Sequence, residues 1–169
     1  MNLNDYVRAV PDFPQQGILF RDITPLLANH EAFSACIEQM AALMPSDVDA
    51  VVGIESRGFI FGTALAQALG LSLVLIRKPG KLPCKVHRIE YALEYGTDIL
   101  EIHQDALQAG QKVVVVDDLL ATGGTAAASL ALLDQINVDV KACLFAIELD
   151  FLKGRDTLAG VDVQSLLHY

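Results

Sequence analysis

The sequence predicts an α/β domain built on a doubly wound, mostly parallel central sheet with flanking helices. Val113, Val114, Val115 and Val116 stand in a row. Such a run cannot alternate between core and solvent, so it belongs to a strand covered on both faces, as in a parallel sheet. A glycine-containing turn follows, and then Ala126–Leu133, whose alanines and leucines favour a helix. The order strand, turn, helix recurs where the buried run Ala50–Ile54 leads into Phe59–Leu69. Strands alternating with helices make a parallel sheet. Ligands in such sheets sit beyond the carboxyl ends of the strands, where strand order reverses.

Pro11 and Pro14 limit Met1–Gln16 to a short helix followed by an extended arm, and Gly17–Thr24 ends at Pro25. Phe33, Cys36, Ile37, Met40 and Met44 recur at helical spacing, with Asn29 placed as the cap. Gly70 stops the Phe59–Leu69 helix and Leu71–Ile76 is the next strand. Residues 77–96 carry two prolines, two glycines and many charges, which predicts a mobile basic loop or an extended hairpin. Asp98–His103 alternates as a strand, Ala142–Ile147 is buried, and Val161–Leu167 is the last apolar stretch.

The chain has 169 residues, 53% of them hydrophobic, enough for one domain over residues 1–169 with a substantial core. Twelve basic residues against twenty-one acidic ones give a net charge of −9, which argues against nucleic acid or an anionic membrane as partner. Yet Arg77, Lys78, Lys81, Lys85 and Arg88 crowd one short segment, the signature of a small, highly anionic ligand. Three scattered cysteines, Cys36, Cys84 and Cys143, suit a reducing cytoplasm rather than a disulfide framework or zinc site. The N-terminus lacks a signal pattern, and no apolar run is long enough to span a bilayer.

Asp117 and Asp118 are expected where the valine strand ends, just before Ala121-Thr122-Gly123-Gly124-Thr125. Backbone N–H groups at such a turn and helix start form an anion site, and the glycines let the main chain approach phosphate oxygens. No lysine follows the glycines and the spacing is not G-x-G-x-x-G, so neither common nucleotide loop applies. Two acids beside an anion site make sense if the ligand also offers hydroxyls or brings a divalent cation. A ribose 5-phosphate does so, with phosphate in the turn and the 2- and 3-hydroxyls on Asp117 and Asp118. A capped turn with two solvent-facing acids is the plain alternative; strand, acid pair and turn together favour the ligand.

This stretch resembles the phosphoribosyl-pyrophosphate (PRPP) motif of the type I phosphoribosyltransferases, and VVVVDDLLATGGT resembles the adenine branch of that family. FRDIT, ESRGF, RKPGKLP and LEYG extend the likeness over nearly the whole chain. The resemblance implies a small base-binding hood within about residues 1–30. There Phe20 stacks on adenine, Leu119 lies against its other face, and Leu19 and Arg21 belong to the same site; by themselves Phe20 and Leu119 read as core residues. Glu55, Ser56 and Arg57 match the pyrophosphate loop, whose backbone in this family holds pyrophosphate, often through a non-proline cis peptide, while the arginine lies by the base. Taken alone, Arg57 is as well explained by an ion pair with Glu55. Arg77, Lys78 and Lys81 match a pyrophosphate clamp that reaches the neighbouring subunit, implying a homodimer; a bare charge run would be a solvated loop. Glu94 matches the acid that moves the purine proton, with Tyr95 covering the site, although by itself it is an ordinary loop acid. The implied reaction joins adenine to PRPP with Mg2+ as cofactor, carried by the pyrophosphate and lying near Asp117 and Asp118. Lys141 lies at the wrong end of its strand to meet a 6-oxopurine, and a DNA-binding regulator would need a basic face that this chain lacks.

Overall fold

In chain order the elements are β1 (Arg8–Pro11), β2 (Leu19–Asp22), α1 (Thr24–Ala28), α2 (His30–Ala42), β3 (Ala50–Ile54), α3 (Gly58–Leu69), β4 (Ser72–Ile76), β5 (Val86–Ala92), β6 (Thr97–His103), β7 (Lys112–Leu120), α4 (Gly124–Gln135), β8 (Asp139–Glu148), α5 (Gly154–Thr157) and β9 (Asp162–His168). The computed structural model describes residues 1–93 and 95–169. They fall into two compact units, Met1–Gln39 and Met40–Tyr169.

In the first unit β1 and β2 pair antiparallel, from Arg8↔Asp22 to Pro11↔Leu19, as the small hood. The connection is closed by Asp12 Oδ1, which accepts from the Gly17 N–H at 2.8 Å. Asp22 then starts α1, accepting from the Thr24 N–H at 2.9 Å and the Thr24 hydroxyl at 2.8 Å. Those two donors hold its carboxyl below the usual range. The expected cap is present, with Asn29 Oδ1 accepting from the Ala32 N–H at 2.9 Å.

The second unit is the parallel sheet, in the order β4-β3-β7-β8-β9. The chain steps outward from β3 to β4, then returns to the other side of β3 with β7, so strand order reverses between β3 and β7. Right-handed crossovers in opposite directions place α3 and α4 on opposite faces. Every residue of β3 is buried, and Val113–Val116 are fully buried, as a strand covered on both sides requires. On one face α3 comes close enough that a Cβ added to Gly62 would lie 3.5 Å from the Gly53 Cα. On the other, Val52, Ile54, Val113 and Val115 share a core with Leu132 and Leu133 of α4 and with Leu100 and Ile102 of β6.

The extended hairpin, one of the two forms expected for residues 77–96, is present from Val86 onward: β5 and β6 pair antiparallel from Val86↔His103 to Ala92↔Thr97. Ile89 and Tyr91 turn inward on alternate positions, a period-two pattern set among charges. The Arg77 backbone also exchanges hydrogen bonds with Glu101, at 2.9 and 2.8 Å. One expectation needs correction: β7 does not end at the acid pair but pairs with the long β8 as far as Leu120↔Glu148. Cys36 and Cys143 are buried, with thiols pushed up to about 12 by burial, whereas Cys84 is exposed. Among the described residues no helix is long and apolar enough to cross a membrane.

Candidate active site

The last pairing of β3 with β7 is Gly53↔Val116. One residue later the two strands part, and Asp117 and Asp118 stand at the mouth of the crevice that opens there, the position where parallel sheets bind ligands. Two adjoining cavities occupy it. One, of ≈ 330 Å³, is lined by Glu55, Ser56, Arg57, Lys78, Asp117, Asp118, Leu119 and Thr125. The other, of ≈ 100 Å³, is the cradle of the turn, lined by Ala121–Ala126 with Asp117, Leu119, Leu120 and Phe145. Asp117, Leu119 and Thr125 border both.

The turn is shaped from behind. Gly123 has φ +86°, and a Cβ there would lie 2.6 Å from the Gly154 carbonyl oxygen. Gly154, opening α5, is equally constrained, since its Cβ would lie 2.4 Å from the Ala121 carbonyl oxygen. The Thr157 hydroxyl donates to the Thr122 carbonyl at 3.0 Å. Gly124 has nothing within 4 Å of the place a Cβ would take. The N–H groups at the start of α4 thus face open space that an anion can enter.

The acids carry an electrostatic imbalance. Burial pushes the Asp117 carboxyl up to about 8, and the neighbouring Asp118 charge adds to the shift. The Asp118 N–H, which donates to Asp117 Oδ1 at 2.9 Å, and the Arg57 charge act in the opposite sense. Arg57 Nε donates to Asp118 Oδ2 at 2.5 Å. Glu55 takes a different partner, accepting from Arg77 Nε at 2.6 Å, while the Arg77 guanidinium lies 5.6 Å from the centre of the Phe59 ring. Lys78 is held by Asp98, which also accepts from the Tyr91 hydroxyl at 3.3 Å. The Glu55–Ser56 peptide is cis.

Three sequence-separated stretches therefore meet at one crevice: Glu55–Arg57 after β3, Arg77–Lys78 after β4, and Asp117–Thr125. Lys81 is exposed and lines neither cavity, and Tyr95 is 88% exposed and lines neither. Leu19, Phe20 and Arg21 lie on β2 of the first unit, where Phe20 meets the Phe13 ring edge-on at 5.1 Å between centres. Glu94 lies outside the described residues. The sequence reading did not single out Asp98, which fixes Lys78, nor Gly154 and Thr157, which back the turn. At Gly58, a Cβ would lie 2.8 Å from Asp117 Oδ1. Each acts across a tertiary contact, for which the local sequence holds no signal.

Known proteins resemble this chain over nearly its whole length. The phosphoribosyl transferase domain matches residues 23–160. An adenine phosphoribosyltransferase of Acidobacterium capsulatum is 52% identical over 168 residues, covering 99% of this chain and 93% of that protein. The crystal structure of the Thermoanaerobacter pseudethanolicus adenine phosphoribosyltransferase superposes with TM-score 0.95 at 48% identity, covering 99% of this chain and 100% of that one. The Saccharomyces cerevisiae enzyme, solved with an imino-altritol bisphosphate and adenine, gives 0.91 at 41% identity over 97% and 96% of the two chains. The chain belongs to the adenine phosphoribosyltransferase family.

Proposed function

We infer that this chain is a purine salvage enzyme, transferring the 5-phosphoribosyl group from PRPP to adenine and releasing AMP and pyrophosphate. The observation that carries this reading is the acid pair Asp117-Asp118 beside the Ala121–Thr125 cradle, at the reversal of strand order, in a chain half identical to adenine phosphoribosyltransferases. The yeast relative binds adenine and a sugar-like bisphosphate, the two ligand types that the reaction requires.

The 5-phosphate occupies the cradle, held by N–H groups of the turn and of the α4 start, with the Thr122 and Thr125 hydroxyls available to donate. Asp117 and Asp118 accept from the ribose hydroxyls and lay negative potential beneath the anomeric carbon as it becomes oxocarbenium-like. Adenine attacks that carbon from the face opposite the leaving group, so the configuration inverts. The backbone of the Glu55–Ser56 loop, Arg77 and Lys78 receive the pyrophosphate, with Glu55 and Asp98 holding Arg77 and Lys78 in place, and Arg57 lies by the base. Glu94 takes the proton released by the purine. Leu19, Phe20, Arg21 and Leu119 bind the base, and Tyr95 covers it. The acid pair fits a hard divalent cation: burial and the Asp118 charge push the Asp117 carboxyl up to about 8, and a cation beside the pair would favour its ionised form. Asp117 and Asp118, together with the pyrophosphate of PRPP, are the groups that would hold Mg2+, which would screen the charge of the leaving group. Lys81, exposed and off its own chain's cavities, serves the neighbouring subunit of a homodimer.

The test is direct. The pure protein with PRPP, Mg2+ and adenine is expected to form AMP, while hypoxanthine, guanine and xanthine neither react nor compete. Turnover of a 6-oxopurine in preference to adenine would overturn the assignment. A monomer in sedimentation velocity at assay concentration would remove the role of Lys81.

A further inference from the structure

The carboxyl ends of β8 and β9 bring together a second group of side chains that lines neither cavity of the crevice. Glu148 and His168 are register partners on parallel strands, so their side chains leave the sheet on the same face. Asp150 follows two residues after Glu148. The backbone continues the pairing there, with the Tyr169 N–H donating to the Glu148 carbonyl at 3.0 Å and the Asp150 N–H to the Tyr169 carbonyl at 2.9 Å. One donor atom from each of Glu148, Asp150 and His168 lies within 4.8 Å of the other two.

The second observation concerns Glu148 itself, whose residue is only 3% exposed. Its Oε1 accepts from Arg155 Nε at 2.7 Å. Its Oε2 is buried and has no hydrogen-bond donor among the described residues; it lies 3.9 Å from His168 Nδ1. An oxygen of an ionised carboxylate withdrawn from water without a donor is costly. His168 Nδ1 sits 2.8 Å from Asp150 Oδ1, so the imidazole nitrogen and both carboxylates face one point.

We propose that Glu148, Asp150 and His168 bind a divalent transition-metal ion of the Zn2+ or Co2+ type. An imidazole nitrogen with two carboxylate oxygens suits such ions better than Mg2+ or Ca2+, which prefer all-oxygen shells. Three protein ligands leave a position for water, and the half-exposed side chains of His168 and Asp150 open a path from solvent. Arg155, which lines the same cavity, holds the inner carboxylate by Oε1 and is itself anchored, its Nη1 donating to the Val163 carbonyl at 2.6 Å. It orients Glu148 as outer-shell partners orient metal ligands.

The ion has a structural task. Between Asp150 and Thr157 the chain turns back so that Gly154 and Thr157 support the phosphate turn from behind. Joining Asp150 to β8 and β9 fastens the near end of that support. No atom of the site belongs to the reacting groups.

Cobalt spectroscopy on the full-length protein tests the site. The protein, stripped with chelator, is titrated with Co2+ in excess Mg2+, which occupies oxygen-only sites. One equivalent is expected to give a visible ligand-field band that Zn2+ then abolishes. His168→Gln and Asp150→Asn are expected to lose the band and the rise in Tm that Zn2+ causes, while retaining AMP synthesis and the native circular dichroism spectrum. Arg155→Gln is expected to weaken Co2+ roughly 10–100-fold, as loss of an outer-shell partner does. Asp118→Asn is expected to keep the band. No band, or a band unchanged in the His168 and Asp150 variants, would overturn the proposal, as would one lost only with Asp118.

Discussion

Arg57 Nε donates to Asp118 Oδ2 at 2.5 Å, tying the loop after β3 to the acid pair on β7 across the point where strand order reverses. The bond joins a residue assigned to the base with one assigned to the ribose diol. The places for base and ribose are thus coupled before any substrate arrives. A double-mutant cycle of Arg57→Met and Asp118→Asn is expected to show a coupling in unfolding free energy of about 1 kcal/mol, low in the range for contacting residues because the guanidinium is half exposed. Strictly additive effects would mean that the pair is a coincidence of position.

The adjacent glycines of the cradle are expected to respond in opposite directions. Gly123→Ala combines a positive φ with a clash against the Gly154 backbone, and should destabilise the fold by roughly 1–3 kcal/mol, as overpacking does. Gly124→Ala meets nothing, and should leave the empty protein unchanged or more stable by up to about 0.5–1 kcal/mol. Its methyl group, however, stands where phosphate must come close, so PRPP affinity should fall. Thermal melts paired with PRPP titrations separate the two cases. A Gly124→Ala protein with wild-type PRPP affinity would place the phosphate elsewhere.

Asp117 gives a dependence on pH. Its carboxyl, pushed up to about 8 by burial and by Asp118, stays protonated in the folded protein over a range in which the unfolded chain has lost that proton. The folded state therefore binds more protons above the ordinary carboxylate value of 3.8, and stability falls as pH rises toward about 8. Asp117→Asn removes the dependence. Its advantage in Tm over the wild type, both without ligand, should widen from pH 5 to pH 8 and then level off. Melting curves that remain parallel across that interval would contradict the shift.

Glu94→Gln tests the proton transfer. Turnover is expected to fall by roughly 10²–10⁴-fold while the KM for PRPP changes little, since general-base catalysis contributes about that much and the residue is not assigned to PRPP. Steady-state kinetics at saturating adenine decide it, and unchanged turnover would assign the proton to another group.

What could be read in advance was what repeats locally. Ala50–Ile54 was expected and observed with identical ends, because a fully apolar run has only one way to be buried. Asn29 was legible as a cap because its partner, Ala32, lies three residues away. The ligand crevice was legible because Glu55 and Arg77 directly follow buried strands and Asp117 directly follows the valine run. The 77–96 segment was legible only as a choice between loop and hairpin, since Arg88 and Glu90 interrupt the inward series of Ile89 and Tyr91 and dominate the local composition. Asp98 as the partner of Lys78, and Gly154 as the support of Gly123, depend on chain separations that no local pattern encodes.

The uneven burial of the three thiols makes the protein its own labelling reagent. With Cys36 and Cys143 sequestered, an alkylating dye has one accessible target, Cys84, whose N–H lies 3.3 Å from His103 Nε2 at the foot of the β5–β6 hairpin. A fluorophore attached there reports on the stretch between Lys78 and that hairpin in the otherwise native sequence, so substrate arrival can be timed optically without engineering a single residue.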